Sequence, residues 1–210
     1  MAIISYARNS NYKLTLHFAK HEFDCKCGCR TTKHDEALSK GLEELRTIIG
    51  SPITITSGYR CYTRNKAVGG TSGSRHVSGQ AADIKSKIDP VALGMLASEH
   101  FKGVGIYWYG STAFVHVDTR ARKATWLCDK AGDYHYTSGQ SFILPTVRKG
   151  STDKAAVKML QRLLGIAPDG VFGSGTDKAL RATQRAHGIT VDGVCGKVSW
   201  RHISGANKYC

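Results

Sequence analysis

The sequence predicts a chain of two units, a mixed unit of helices and strands followed by a small helical one. Three observations carry this. Apolar residues recur at helical spacing in residues 35–49 and alternate with polar ones in 53–55 and 114–118. After Cys128 the pattern dissolves, and "AGDYHYTSGQS" offers turn residues with no apolar period. Beyond it, two helix-forming segments are each followed by nearly the same phrase, "PDGVFG" at 168–173 and "VDGVCG" at 191–196. That echo implies helix–turn units sharing one small core. The division expected is therefore 1–137 for the first unit, 138–147 for a linker and 148–210 for the second.

Each element has its own signal. "DEALSKGLEELRTII" places Leu38, Leu42, Leu45 and Ile49 on one helical face, with Asp35 suited to cap the start and Gly50 to end it. "SPITITSGYR" sets Ile53 and Ile55 between threonines, a strand running into a turn. A glycine-rich loop follows to residue 75, and "AADIKS" reads as a short strand. Pro90 opens a helix to about His100. "GVGIYWY" and "TAFVHVDTR" read as two strands separated by Gly110 and Ser111, a hairpin signal. In the tail, Val157, Leu160 and Leu164 share a helical spacing closed by Gly165, and "GTDKALRATQRAHG" repeats the form, closed by Gly188.

The formal net charge of +14 makes an acidic partner plausible, but the excess is diffuse. Residues 146–210 hold 11 Lys/Arg against 4 Asp/Glu, half of the surplus. No dense basic run with interleaved aromatics appears, which argues against nucleic acid and leaves a polyanionic surface such as a bacterial wall. Ile3 and Ile4 are the only branched aliphatic residues at the start before polar residues intervene. Neither a signal peptide nor a membrane span is expected, so synthesis in the cytoplasm is. Seven cysteines, an odd number, suit a reducing compartment better than a disulfide framework. Cys25, Cys27 and Cys29 could form a metal knuckle with His34, but the spacing is tight and no second pair follows. Buried or loop thiols are the reading preferred.

One constellation carries chemistry. In "FVHVD" the strand period puts Phe114, His116 and Asp118 on one face and Val115 and Val117 on the other. Burying the valines turns His116 and Asp118 toward a cleft. "SRHVSGQAADI" adds His76 and Asp83. His76, Asp83 and His116 make a nitrogen and oxygen donor set, the chemistry of a hydrolytic zinc rather than a structural thiolate site. The bland reading of the same residues is a satisfied histidine and a strand-end aspartate.

The wider order of motifs decides between them. "HFAKHEF", "SGYR" (57–60), Asn65, "GG" (69–70), "SRHVSGQAADI", "GVGIY" and "FVHVDTR" together resemble the M15 family of zinc peptidases over roughly residues 14–125. That family includes D-alanyl-D-alanine carboxypeptidases and phage endolysins that cut peptidoglycan stem peptides. The resemblance implies a small α+β domain with an antiparallel sheet and a zinc ion in an open groove, held by His76, Asp83 and His116. It implies that Arg60 binds a stem-peptide carboxylate, for which a planar guanidinium is suited, and that Ser74 hydrogen-bonds substrate. One departure stands out. Several M15 enzymes carry an acidic general base three residues before the last histidine ligand, where this chain has Ala113. Asp118 is the nearest acid in sequence, and it either serves as the catalytic base or orients a ligand and fixes Arg120.

"LQRLLG", "DGVFG", "TQRAHG" and "DGVCG" make the tail resemble a three-helix peptidoglycan-binding type 1 domain, with Cys195 in place of the usual aliphatic residue. Asp169 and Asp192, each before a glycine, read as turn chemistry. The combined resemblance implies a zinc metallopeptidase targeted to peptidoglycan, monomeric, and of the phage-endolysin type that reaches the wall after release. A cellular D-alanyl-D-alanine carboxypeptidase and a non-catalytic wall binder are the alternatives.

Overall fold

The structure is a computed structural model that describes residues 3–7, 11–29, 31–108, 113–130, 133–137 and 144–209. Strand β1 (Ile3–Ala7) pairs antiparallel with β2 (Thr31–Asp35) as a separate ribbon, and a single-turn 3-10 helix at Lys20–Phe23 lies between them. Helix α1 (Glu36–Ile49) starts where the sequence signals it: the Asp35 carboxylate accepts from the Ala37 N–H, and Gly50 closes the helix in the left-handed conformation. Strand β3 (Thr54–Ser57), helix α2 (Tyr62–Ala67), strand β4 (Ala81–Lys85) and helix α3 (Pro90–His100) follow. Then come β5 (Gly103–Tyr107), β6 (Phe114–Asp118), β7 (Ala124–Lys130) and β8 (Asp133–Tyr136). The tail holds α4 (Lys154–Leu163), α5 (Ser174–Ala186) and α6 (Lys197–Ser204).

Six strands form one sheet in the order β3-β4-β6-β5-β7-β8. The sheet is mixed rather than wholly antiparallel, because β5 and β7 run parallel. The cause is topological. β4 occupies the free side of β6, so the chain leaving β6 skips past β5 and adds β7 on the other side of it. β5 and β6 pair antiparallel as expected, although Gly110 and Ser111 lie outside the described residues. The quiet stretch after Cys128 includes β8, which the lack of apolar alternation concealed.

The period of two sorts the sheet's faces. Ala82, Ile84, Val104, Ile106, Val115, Val117 and Leu127 are buried in the core with apolar residues of α1 and α3. The intervening residues, Asp83, His116, Gly105 and Trp126, stand in one row across four strands on the other face. Glycine in this row is a spatial requirement. A Cβ on Gly105 would lie 2.3 Å from the Trp126 ring, and one on Gly103 would lie 2.1 Å from the Asp118 carboxylate. "GVG" therefore makes room for two side chains beside His116.

Two glutamines shape the tail. Gln161 of α4 donates to Asp169 Oδ1, the Val171 carbonyl and Thr176 Oγ1, and accepts from the Gly170 N–H. Gln184 of α5 repeats this with Asp192, Val194, Ser199 and Gly193. Each "DGV" turn is thus pinned by an amide from the preceding helix. The tail also packs on the first unit. Ser204 meets Met95 of α3, Arg162 donates to the Trp108 carbonyl at 3.0 Å, and Arg201 pairs with Glu99. Residues 138–143 of the expected linker lie outside the described residues. Leu144, Pro145 and Val147 are buried, and Val147 bridges to Cys195.

Candidate metal centre

The site forms where β4 and β6 pair. Asp83 and His116 are direct cross-strand partners, so their side chains emerge together on the face away from the core. His76 arrives from the turn before β4, which Gly79 closes at a positive φ of 76° with a Cβ position filled by Lys33 backbone. All three side chains are buried.

Their orientation is fixed from behind. His76 Nδ1–H donates to the Gly58 carbonyl at 2.7 Å, which leaves Nε2 with its lone pair forward. His116 Nε2–H donates to Asp118 Oδ2 at 3.0 Å, which leaves Nδ1 forward. Those two nitrogens and Asp83 Oδ1 face one another at 3.2, 3.2 and 3.0 Å. Three electron-rich atoms converging in a buried place need a cation between them. Zinc with ligands at 2.0–2.1 Å in a tetrahedral arrangement sets its donors about 3.3 Å apart, so the donor set and its spacing both fit.

The electrostatics agree. Burial pushes the Asp83 carboxyl up, but His76 and His116 overcome it and hold the group well below the usual carboxylate range. Without a metal, His116 keeps a proton more firmly than an ordinary imidazole. Burial works against that proton, and the Asp118 and Asp83 carboxylates more than offset it. A metal ion held here would have to displace that proton.

The other expected residues fall around this centre. Asp118 is fully buried behind His116, and Arg120 clamps it through Nε at 2.7 Å and Nη2 at 2.5 Å while lying over the Trp126 ring. Both of its oxygens are engaged there, on the far side of the imidazole from the converging lone pairs. Arg60 stands in front. Its Nη2 bonds Asp83 Oδ2 and its Nε donates to Ser57 Oγ at 2.8 Å, while Nη1 has no hydrogen bond among the described residues. A hollow of about 210 Å³, lined by Lys26, Ser57, Tyr59, Arg60 and Arg64 among others, adjoins it. Ser74 is half-buried in the turn that leads to His76, and its carbonyl accepts from the Val77 N–H. Ala113 is half-buried just before β6 and brings no acid to the site.

Two features escaped sequence reasoning. The Gly58 carbonyl that sets the His76 tautomer is a backbone group with no sequence signature. Trp126, 5.2 Å from the His116 ring, could have been sought from the alternating glycines of "GVGIY", since paired small residues on one strand face mark a close neighbour.

Comparison with known families agrees with the two-unit reading. Residues 16–118 match the Peptidase M15 family model, and residues 149–203 match that of a peptidoglycan-binding type 1 domain. No curated protein matches the chain.

Proposed function

We propose that this chain, in which an M15 peptidase domain precedes a peptidoglycan-binding domain, is a zinc-dependent peptidase that hydrolyses peptidoglycan stem peptides, of the phage-endolysin type. The observation that carries the reading is the convergence of His76 Nε2, Asp83 Oδ1 and His116 Nδ1 with no proton donor among the neutral tautomers. A zinc ion held there supplies Lewis-acid chemistry and brings the pKa of water to about 7.

The chain's own groups do the rest. Asp118 keeps the His116 tautomer and ring plane fixed, and Arg120 neutralises Asp118; in this reading Asp118 positions a ligand and is not the base. Arg60 holds Asp83 with one arm of its guanidinium and offers Nη1 to a carboxylate of the stem peptide. Trp126, Tyr107 and Phe114 wall the site on the β5–β7 side, where Trp126 Nε1–H donates to the Tyr107 hydroxyl at 3.1 Å and Tyr107 stacks on Phe114. The tail supplies wall affinity and keeps the site at high local substrate concentration.

The test is incubation of the full chain with purified cell walls, followed by mass spectrometry of the soluble products. Cross-linked peptides cleaved internally, with loss of turbidity, support the endolysin reading. Release of terminal D-alanine alone would identify a D-alanyl-D-alanine carboxypeptidase, whose substrate also offers Arg60 Nη1 a free carboxylate. No release at all would leave a wall binder.

A further inference from the structure

Far from the β4–β6 row in sequence, the fold gathers a second set of donors. The sulfurs of Cys25, Cys27, Cys29 and Cys61 all lie within 4.8 Å of one another. We propose that these four cysteines hold a structural zinc ion, separate from the His76, Asp83 and His116 centre, that ties the 25–29 loop to the start of α2.

The distances carry the argument. Cys25 and Cys27 sulfurs stand 3.2 Å apart, and Cys27 and Cys61 sulfurs 3.3 Å apart. A disulfide requires about 2.05 Å, so none of these contacts is a bond between sulfurs. Zinc–thiolate bonds of about 2.3 Å in a tetrahedron put sulfurs about 3.8 Å apart, which is the scale of this cluster. Three backbone N–H groups donate to the sulfurs. Cys29 donates to Cys27, Cys61 to Cys25, and Arg64 to Cys61, each at 3.3–3.4 Å. Such bonds stabilise thiolate charge, as ligand sulfurs require. Gly28, at a φ of 84°, makes the turn that folds Cys29 back toward Cys27.

By itself "CKCGC" offers three sulfurs, and the fourth ligand comes from far along the chain. His34 is elsewhere, buried against Phe23 and bonded to Ser39. Cys61 takes the place, 32 residues after Cys29 in sequence, and no local motif reveals it. Four thiolates with one divalent zinc carry a net charge of −2, and Lys26, Arg60 and Arg64 line the hollow beside them. Cys61 directly follows Arg60, and the Tyr59 N–H donates to the Phe23 carbonyl at 2.8 Å. A metal held by these thiolates would therefore anchor the segment that presents Arg60 to Asp83.

The experiment uses the full chain, purified under reducing conditions without chelator, and a His76→Ala/His116→Ala variant in which the other centre is destroyed. Elemental analysis should find two zinc equivalents in the parent and one in the variant. Replacing that remaining metal with cobalt(II) should give intense thiolate-to-cobalt absorption in the near ultraviolet. Cys27, although exposed, should resist a thiol reagent until chelator is added. That last readout needs no further variant and so does not depend on the folding of cysteine mutants. Introducing Cys61→Ser should remove the absorption and the last equivalent. A metal-free His76→Ala/His116→Ala variant, a cobalt spectrum without thiolate bands, or immediate Cys27 labelling in the zinc-loaded chain would each overturn the proposal. None of these results bears on whether the histidine centre is catalytic.

Discussion

His76 Nε2 and His116 Nδ1 face each other across 3.2 Å, while the opposite nitrogen of each ring is committed to a carbonyl or a carboxylate. Two imidazoles locked in this way can share only a cation, and Asp83 completes the set. The geometry makes distinct roles for the surrounding residues, and each role has a separate consequence.

Asp118 touches His116 and Arg120, so its removal should act through the metal. Asp118→Asn is expected to weaken zinc affinity by about 10- to 100-fold, measured by chelator competition, with much of kcat returning at saturating zinc. Unchanged zinc affinity with kcat abolished would make Asp118 the base instead.

Arg60→Lys keeps the charge and loses the planar fork. With His76, Asp83 and His116 untouched, zinc should remain bound. The value of kcat/KM on stem peptides should fall between about 30-fold and 1000-fold, corresponding to roughly 2–4 kcal/mol of transition-state binding. Hydrolysis at the parent rate would show that the substrate anchor lies elsewhere.

His34 gives the fold a pH dependence of its own. Burial holds its imidazole down to about 4, with Asp35 opposing weakly, and its Nδ1 has no partner. The unfolded chain therefore takes up a proton near pH 6.5 that the folded chain refuses, so stability is full above 6.5 and falls as pH drops toward 4. The loss should reach roughly 3 kcal/mol, at about 1.4 kcal/mol for each pH unit. Denaturant unfolding of the parent and of His34→Gln across that range should give curves that converge as the pH falls. Parallel curves would contradict the assignment.

The tail is packed on the first unit, which predicts more than wall affinity. A chain ending at residue 143 uncovers Met95 and Trp108, both buried in the whole protein. Losing about 2 kcal/mol of apolar burial should lower Tm by roughly 5 °C or more. Sedimentation with insoluble wall should be lost together with that stability. An unchanged Tm would mean that the contacts through Ser204, Arg162 and Arg201 contribute nothing.

Much of this was legible in the residues because local physics wrote it there. The Asp35 cap, the Gly50 stop and the valines of "FVHVD" are consequences of spacing, and the structure realises each. The convergence of His76, Asp83 and His116 was legible because histidine and aspartate stand in a recognisable order of motifs. What escaped depended on the fold's long-range closures. The parallel β5–β7 pair follows from which sheet edge was free, β8 is half-exposed and lacks an apolar period, and Cys61 joins its partners only through packing. The Gln161 and Gln184 amides were hidden for a simpler reason: a glutamine in a helix gives no hint that it points inward.

Whether the chain is a metal-dependent peptidase is decided by wall hydrolysis with the metal-free chain as zinc is restored, run beside His116→Ala. No peptide release is expected without metal, with recovery on adding zinc to the parent and none in His116→Ala at any zinc concentration. Full hydrolysis by the metal-free parent, or by zinc-loaded His116→Ala, would contradict it.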